Sequence, residues 1–414
     1  MASWRQRVLG PILDGHRDRD LARTPPLGPL AWQAAAAVAV ALAGAVGLYL
    51  LLAWLLGVDP RSDPAEPAAD QQRLLAELVK IALGLAAGVG ASVALIIGYR
   101  RARVEEAGSH RDDRRLFSSR YQDAADLLGH DKAAVRLAGV YAMSRLADDW
   151  NEQRQQCIDV LCAYLRLPYD PASGDGGERE VRLTVVRLIG AHLQPSATRP
   201  WHGHDLDFTG AVFDGGDFSG AVFSGGVRFT GAVFVGRPVD FSGAEFADGT
   251  ADFTGARFTE GSVNFGTARF TGSTVRFTEA QFAGGSLSFG RAQFAAGTVS
   301  FSGRPVVVDR SRDTTFSGSH VNFSRANFTG GRVDFKHTKF ASGRLGFMGA
   351  TFCGSTVDFT GAVFAGGTVS FHSARFTGGE VNLSAAKLAA KGKPPQDLPA
   401  TANRFLRLPD WLAQ

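Results

Sequence analysis

Residues 239–289 read VDFSGAEFADGTADFTGARFTEGSVNFGTARFTGSTVRFTEAQFAGGSLSF, one short sentence repeated with small changes. Phe recurs at 241, 246, 253, 258, 265, 270, 277, 282 and 289, in steps that alternate five and seven residues. The unit is therefore twelve residues, V-x-F-x-G-A-x-F-x-x-G-x in outline. Two residues before each Phe stands a small or β-branched residue: Val263, Val275 and Leu287 after the longer step, Ala256, Ala268 and Ala280 after the shorter. On an extended chain, positions i and i−2 share a face. Each unit thus turns two Phe and two small residues inward and leaves Arg, Asp, Asn, Ser and Glu outside. Of the 30 Phe in the 414-residue chain, 28 lie between Phe208 and Phe376, so a repeat governs this region before any motif does.

Only two or three residues alternate before Gly, Ser or Thr turns the chain. Strands so short cannot build a sandwich, whose strands usually run about five or six residues. They can line the flat sides of a solenoid. If two twelve-residue units make one coil, 206–388 holds seven or eight coils. That is roughly 35 Å of rod, with Phe above Phe about 4.8 Å apart. The rings are expected in a single dry column. Burying one Phe is worth roughly 1.5–3 kcal/mol, against roughly 1–2 kcal/mol of entropy per ordered residue. The Gly after the second Phe of each unit is expected to supply φ > 0 at a corner.

The A-x-F-x-x pattern resembles the pentapeptide-repeat family, whose unit is A-(D/N)-L-x-x with Leu or Phe at its centre. The resemblance implies a right-handed quadrilateral β-helix with four short sides per coil. This sequence departs from the pattern by adding two residues to every second repeat. Register fails at 302–315, SGRPVVVDRSRDTT, where Phe301 and Phe316 are fifteen residues apart and Arg304 takes an expected Ala position. A loop should bulge there, and irregular loops on repeat scaffolds often carry binding. Arg304, Asp309, Arg310, Arg312 and Asp313 are the candidate protein-interaction residues. The last unit changes to Leu383 and Leu388; the tail, 391–414, is expected to cap strand edges otherwise left unpaired.

Before the repeats, 31–58 carries no charge over 28 residues, where about 20 span the hydrocarbon core. A second uncharged run, 81–99, follows a short polar link. The expectation is a two-helix transmembrane hairpin: 1–30 a cytoplasmic basic segment, 31–58 the first helix, 59–73 an external link, 74–99 the second helix. Five Arg precede the first run and Arg100, Arg101 and Arg103 follow the second, so both termini should face the cytoplasm. Neither run holds an acid, His or Arg, which disfavours ion or proton transport.

Residues 100–200 read as a small all-α connector. RYQDAADLLGHDKAAVRLAGVYAMSRLADDW (120–150) spaces its apolar residues at helical intervals, with His130-Asp131 as an expected N-cap for the next helix. This helical stretch looks like the module that precedes the repeats in membrane-associated bacterial members of the family. Those members imply a place integral to the bacterial plasma membrane. Residues 201–390 form the repeat region.

The net charge is +4, but the excess flanks the apolar runs; 205–390 holds 16 Lys+Arg and 15 Asp+Glu. A nucleic-acid partner is disfavoured. Cys157, Cys162 and Cys353 lack disulfide or metal spacing and read as buried free thiols. No GxxxxGK[ST], HExxH or GxSxG motif is present, and His202-Gly203-His204-Asp205 reads as a turn rather than a metal site. No cofactor or metal is expected, and the chain reads as non-enzymatic. Two functions remain. The first is a membrane-anchored scaffold that binds a cytoplasmic protein and, through 31–58 and 81–99, the bilayer. The second, implied by the family, is a DNA mimic that inhibits a topoisomerase; it needs an acidic rod, and only 205–260, with nine acids against three bases, qualifies.

Overall fold

The computed structural model describes residues 69–303, 314–398 and 405–412, with short helical pieces between 39 and 55. The chain divides into two compact units, one within Gly15–Ser118 and the other within Ser119–Gln414. Helix α1 is Ala69–Leu128, 60 residues long. It contains the uncharged run 81–99 and continues through the boundary expected at 99/100. Its start takes in the last residues of the expected polar link. The run 31–58 lies mostly outside the described residues. Among the described residues, no helix is long and apolar enough to cross a membrane.

In the second unit, helices α2 (Ala133–Asp149), α3 (Arg154–Leu165) and α4 (Gly176–His192) precede the repeats. Their apolar stripes meet in a common core in which Val140, Met143, Ile158, Leu161, Val185 and Ile189 are fully buried. The N-cap of α4 is Asp175, whose carboxylate accepts the Glu178 N–H at 3.0 Å. The N-cap of α2 differs from the expectation. It is Lys132, with no side-chain cap; His130 Nδ1 instead accepts the Lys132 N–H at 3.0 Å.

The helices also close the open edge of the first coil. The Val222 N–H donates to Leu193 O at 2.8 Å, continuing a ladder onto the end of α4. Gln155 of α3 receives the Asp205 N–H at 3.0 Å and donates to Asp205 O at 2.8 Å. At Gly190 a Cβ would lie 2.5 Å from Asp217 O, so only glycine lets the helix approach this closely. An edge that would otherwise template a foreign strand is thereby covered.

From Leu206 the chain winds as a β-solenoid of about eight turns. Apart from two longer strands near the far end, its strands are two or three residues long, and they pair in parallel from coil to coil. Four ladders result. The first side begins at Leu206–Asp207, the second at Val212–Phe213, the third at Gly216–Asp217 and the fourth at Val222–Phe223. Register partners in the middle of the rod are two twelve-residue units apart, as Val263↔Leu287 and Phe258↔Phe282. The first coil is tighter, with Leu206 opposite Val227. Near the far end two strands, Thr351–Asp358 and Arg375–Asn382, run on from the fourth side into the first.

The rings form four columns, one per side, rather than the single column expected. Phe265, Phe289 and Phe323 show the pattern, with centroids 5.0 and 4.7 Å apart and planes within 8°. Columns of the first and third sides meet edge to face across the axis, as Phe289 and Phe301 at 89°. Both offset stacking and edge-to-face contact suit the aromatic quadrupole. The small inward residues, Ala256, Ala268 and Ala280 among them, are fully buried between the columns.

Glycines after the second Phe do supply φ > 0 at a corner, Gly249, Gly297, Gly331 and Gly343 among them, though not in every unit. The steadiest left-handed position is two residues after the first Phe of a unit, as at Gly243 with φ 67°. Six non-glycine residues take the same conformation there, among them Thr267, Arg291 and Arg325. At the far end, Leu406–Arg407 pairs with Val381–Asn382, and Trp411 Nε1 donates to Ala386 O at 2.9 Å.

Candidate interaction surface

With inward positions filled by Phe, Val, Leu and Ala, chemistry is confined to the outward rows and the corners. Asp, Asn and Ser dominate the outward rows of the first and third sides. They do more than face solvent. Asp217, Asp240, Asp252 and Asn264 each accept the backbone N–H two residues ahead, at 2.8–3.0 Å. These are Asx turns, which hold the corner after each Phe. The sequence carries the signal as D/N/S-F-S/T/G, which placing these residues simply on the outside misses.

Charges on the first side are largely satisfied within the chain. Asp358, 6% exposed, accepts from Arg332 at 2.5 Å and lies 3.4 Å from Lys336 Nζ. Burial opposes its ionisation, yet the Thr360 hydroxyl and N–H, with Lys336 and Arg332, hold its carboxyl below the usual range. Asp207 shows the same balance, between burial on one hand and Thr209, Arg166 and Arg228 on the other. Arg407 pairs with Glu380 at 2.7 Å.

All five predicted loop residues, Arg304, Asp309, Arg310, Arg312 and Asp313, lie outside the described residues. The roots of their segment are defined. Phe282 pairs with Phe316, where an unbroken repeat would bring a residue ten positions earlier, so the insertion adds ten residues to one coil. The two rings stack at 4.6 Å, and the column passes the insertion undisturbed. The inward position two before Phe316 is Thr314, not Arg304, and it is fully buried. Its hydroxyl donates to Phe277 O at 3.2 Å and accepts the Glu279 N–H at 2.9 Å. The insertion leaves and rejoins the rod at the corner between the first and second sides.

The histidines at the junction are engaged locally. His202 Nε2 lies 3.0 Å from Leu193 O and His204 Nδ1 lies 3.1 Å from Gln155 Oε1. Among the described residues, no group of three His, Cys, Asp or Glu could hold a metal ion. Burial pushes the thiols of Cys157 and Cys162 up to about 12. Cys353 differs from the expectation: it is exposed. A shallow cleft between the helices and the first coil is lined by Tyr169, Arg179, Arg182 and Asp214. Its charges are already used, since Arg179 holds Asp214 at 3.0 Å and Arg182 donates to Tyr164 O at 3.3 Å.

Four parallel ladders, one inward Phe per side and a fixed coil offset define a repeat β-solenoid. Residues 208–257 match the family model described as pentapeptide repeats, with nine copies, which supports a pentapeptide-repeat protein. The matched part is where five-residue steps are least interrupted, as at 208, 213, 218 and 223. Neither the curated proteins nor the solved structures yield a match.

Proposed function

We propose that this protein is a membrane-anchored, non-enzymatic scaffold whose right-handed, four-sided solenoid is presented in the bacterial cytoplasm for docking of another protein. The observation that carries the scaffold reading is the solenoid itself. Its interior is fully occupied by packed rings, and its outside is a regular lattice of short polar side chains held by turns. Such rods offer extended surfaces and no enclosed chemistry.

Anchoring rests on the two uncharged runs, 31–58 and 81–99, and on their flanking arginines. Large apolar side chains in both are bare: Leu50, Trp54 and Leu55 in the first, Leu83, Leu95 and Ile96 in the second, each between 52% and 78% exposed. Water does not favour such an array, and lipid does. Cell fractionation tests the anchor. The full chain should stay with membranes through an alkaline carbonate wash and leave them only with detergent. Recovery in the soluble fraction without detergent would overturn it.

The acid excess at 205–260 favours a second reading, mimicry of DNA toward a topoisomerase. Several of those carboxylates are committed to turns, and basic residues outnumber acids further along the rod. Inhibition of gyrase by the purified chain, abolished by salt, would favour this alternative.

A further inference from the structure

We infer that the far half of the solenoid's third side is a docking surface for an anionic lipid leaflet. The inference rests on the anchoring reading and adds a second lipid contact to it. From the fourth coil (Ser286–Ser288) to the last, this side and its two corners carry Arg291, Arg325, Arg344, Lys391 and Lys393, all exposed. None has an ion-pair partner among the described residues, whereas the first side pairs its charges internally. The one acid among the described residues there is Asp397. It accepts from the Ser370 hydroxyl at 2.8 Å and lies 3.9 Å from His372 Nδ1. The other acids of this side, Asp217, Asp240 and Glu260, belong to the first three coils, so only the far half is basic.

The side suits a flat, fluid partner. Its central outward residues are Ser288, Asn322, Gly346 and Ser370, all short, so nothing holds a surface away from the cations. Met348 stands at its edge, 52% exposed; with Leu388 it is one of two large apolar side chains so exposed in the described solenoid. Basic groups beside an exposed apolar side chain are the pattern of interfacial binding. Arg291 and Arg325 stand in adjacent coils at one corner, with φ of 61° and 58°. Left-handed backbone is costly for L-residues, and two guanidiniums one coil apart repel each other. Anionic headgroups offset both costs from outside.

The cations follow no common spacing. Arg291 and Arg325 lie at the corner with the fourth side, Arg344 at the start of the third, and Lys391 and Lys393 at the corner before it. A helix or strand with carboxylates at fixed intervals cannot meet all of them, but headgroups diffuse to where the charge is. Among the described residues, no Phe, Tyr or Trp is exposed on this side to stack a base, which disfavours single-stranded nucleic acid. Each basic residue near an anionic leaflet shifts the contact equilibrium by about fivefold. A tether raises the effective concentration of the surface further.

The test uses the full chain in lipid nanodiscs, of phosphatidylcholine alone or with an equal part of phosphatidylglycerol. Cys353→Ser is combined with Ser288→Cys on the third side, or with Ser300→Cys at the equivalent place on the first. Entry into the discs reports the anchor; labelling of the embedded chain by an uncharged polyethylene glycol maleimide reports this contact. Phosphatidylglycerol should slow the labelling of Ser288→Cys at least about fivefold and leave that of Ser300→Cys unchanged. Salt at about 0.5 M, where screening shortens to about 4–5 Å, should abolish the protection. Arg291→Gln, Arg325→Gln and Arg344→Gln together should abolish it too. The same three changed to Lys should keep it, since a leaflet needs charge and not the guanidinium fork. Equal labelling of Ser288→Cys in both discs, equal protection of both positions, or protection by soluble polyglutamate but not by phosphatidylglycerol would overturn the proposal.

Discussion

Phe289→Ala removes one ring from the middle of the third column. The ring is fully buried, stacked on Phe265 and Phe323 at 5.0 and 4.7 Å and edge-on to Phe277 and Phe301 at 6.4 and 6.0 Å. A buried Phe→Ala costs about 3–5 kcal/mol, the lost transfer energy plus the cavity. The upper part of that range applies here, because ladder hydrogen bonds above and below prevent collapse. A whole domain holds only about 5–15 kcal/mol. Coils interact only with their neighbours, so the loss should centre on the fourth coil and the coils on either side. The control is Leu388→Ala, at the end of the second side and 40% exposed, which should cost about 1 kcal/mol or less. Urea unfolding by circular dichroism gives the total, and amide hydrogen exchange gives the distribution. A Phe289→Ala cost below about 1 kcal/mol, or one no larger than the Leu388→Ala cost, would refute the packing argument.

Thr267, β-branched at φ 59°, occupies the corner that Gly243 fills one coil earlier. Thr267→Gly should raise stability by about 1 kcal/mol, seen as a higher thermal midpoint, whereas Gly243→Ala should lower it. Asp358 has its folded pKa below its unfolded value, so its contribution is present above about pH 4 and is lost as pH falls through the folded value. Urea midpoints measured from pH 6 down to pH 2 should therefore fall less for Asp358→Asn than for the wild type, once both start from pH 6. Native alkylation at pH 8 should label Cys353 and spare Cys157 and Cys162, whose thiols burial holds near 12, with mass spectrometry of the digest as the readout.

The solenoid was legible because its inward positions are chemically uniform. A Phe every five or seven residues and a small residue two before it leave one way to bury both, and the coil length follows from doubling the unit. The column count was not legible, because periodicity gives the ring spacing along the rod and says nothing of how many sides share the axis. A second left-handed corner, two residues after the first Phe, was missed for a related reason. Gly is frequent after both Phe of a unit, and Thr267, Glu279 and Arg291 conceal the constant conformation after the first. The helices 133–192 were legible as helices from their apolar spacing. Their second task, covering the first coil, depends on contacts such as Gln155 with Asp205 that lie 50 residues apart in sequence.

The central claim is a coil of fixed offset, with ten residues looped out of one turn. Thiol crosslinking of the purified full chain tests it with two cysteine pairs. Gln293→Cys with Asn327→Cys joins register partners that are separated in sequence by a full coil plus the insertion, yet adjacent on the fourth side. Gln293→Cys with Thr315→Cys joins residues closer in sequence but on different sides. The account predicts rapid crosslinking of the first pair by a reagent of about one strand spacing, and none of the second. Crosslinking that follows sequence distance instead would contradict it.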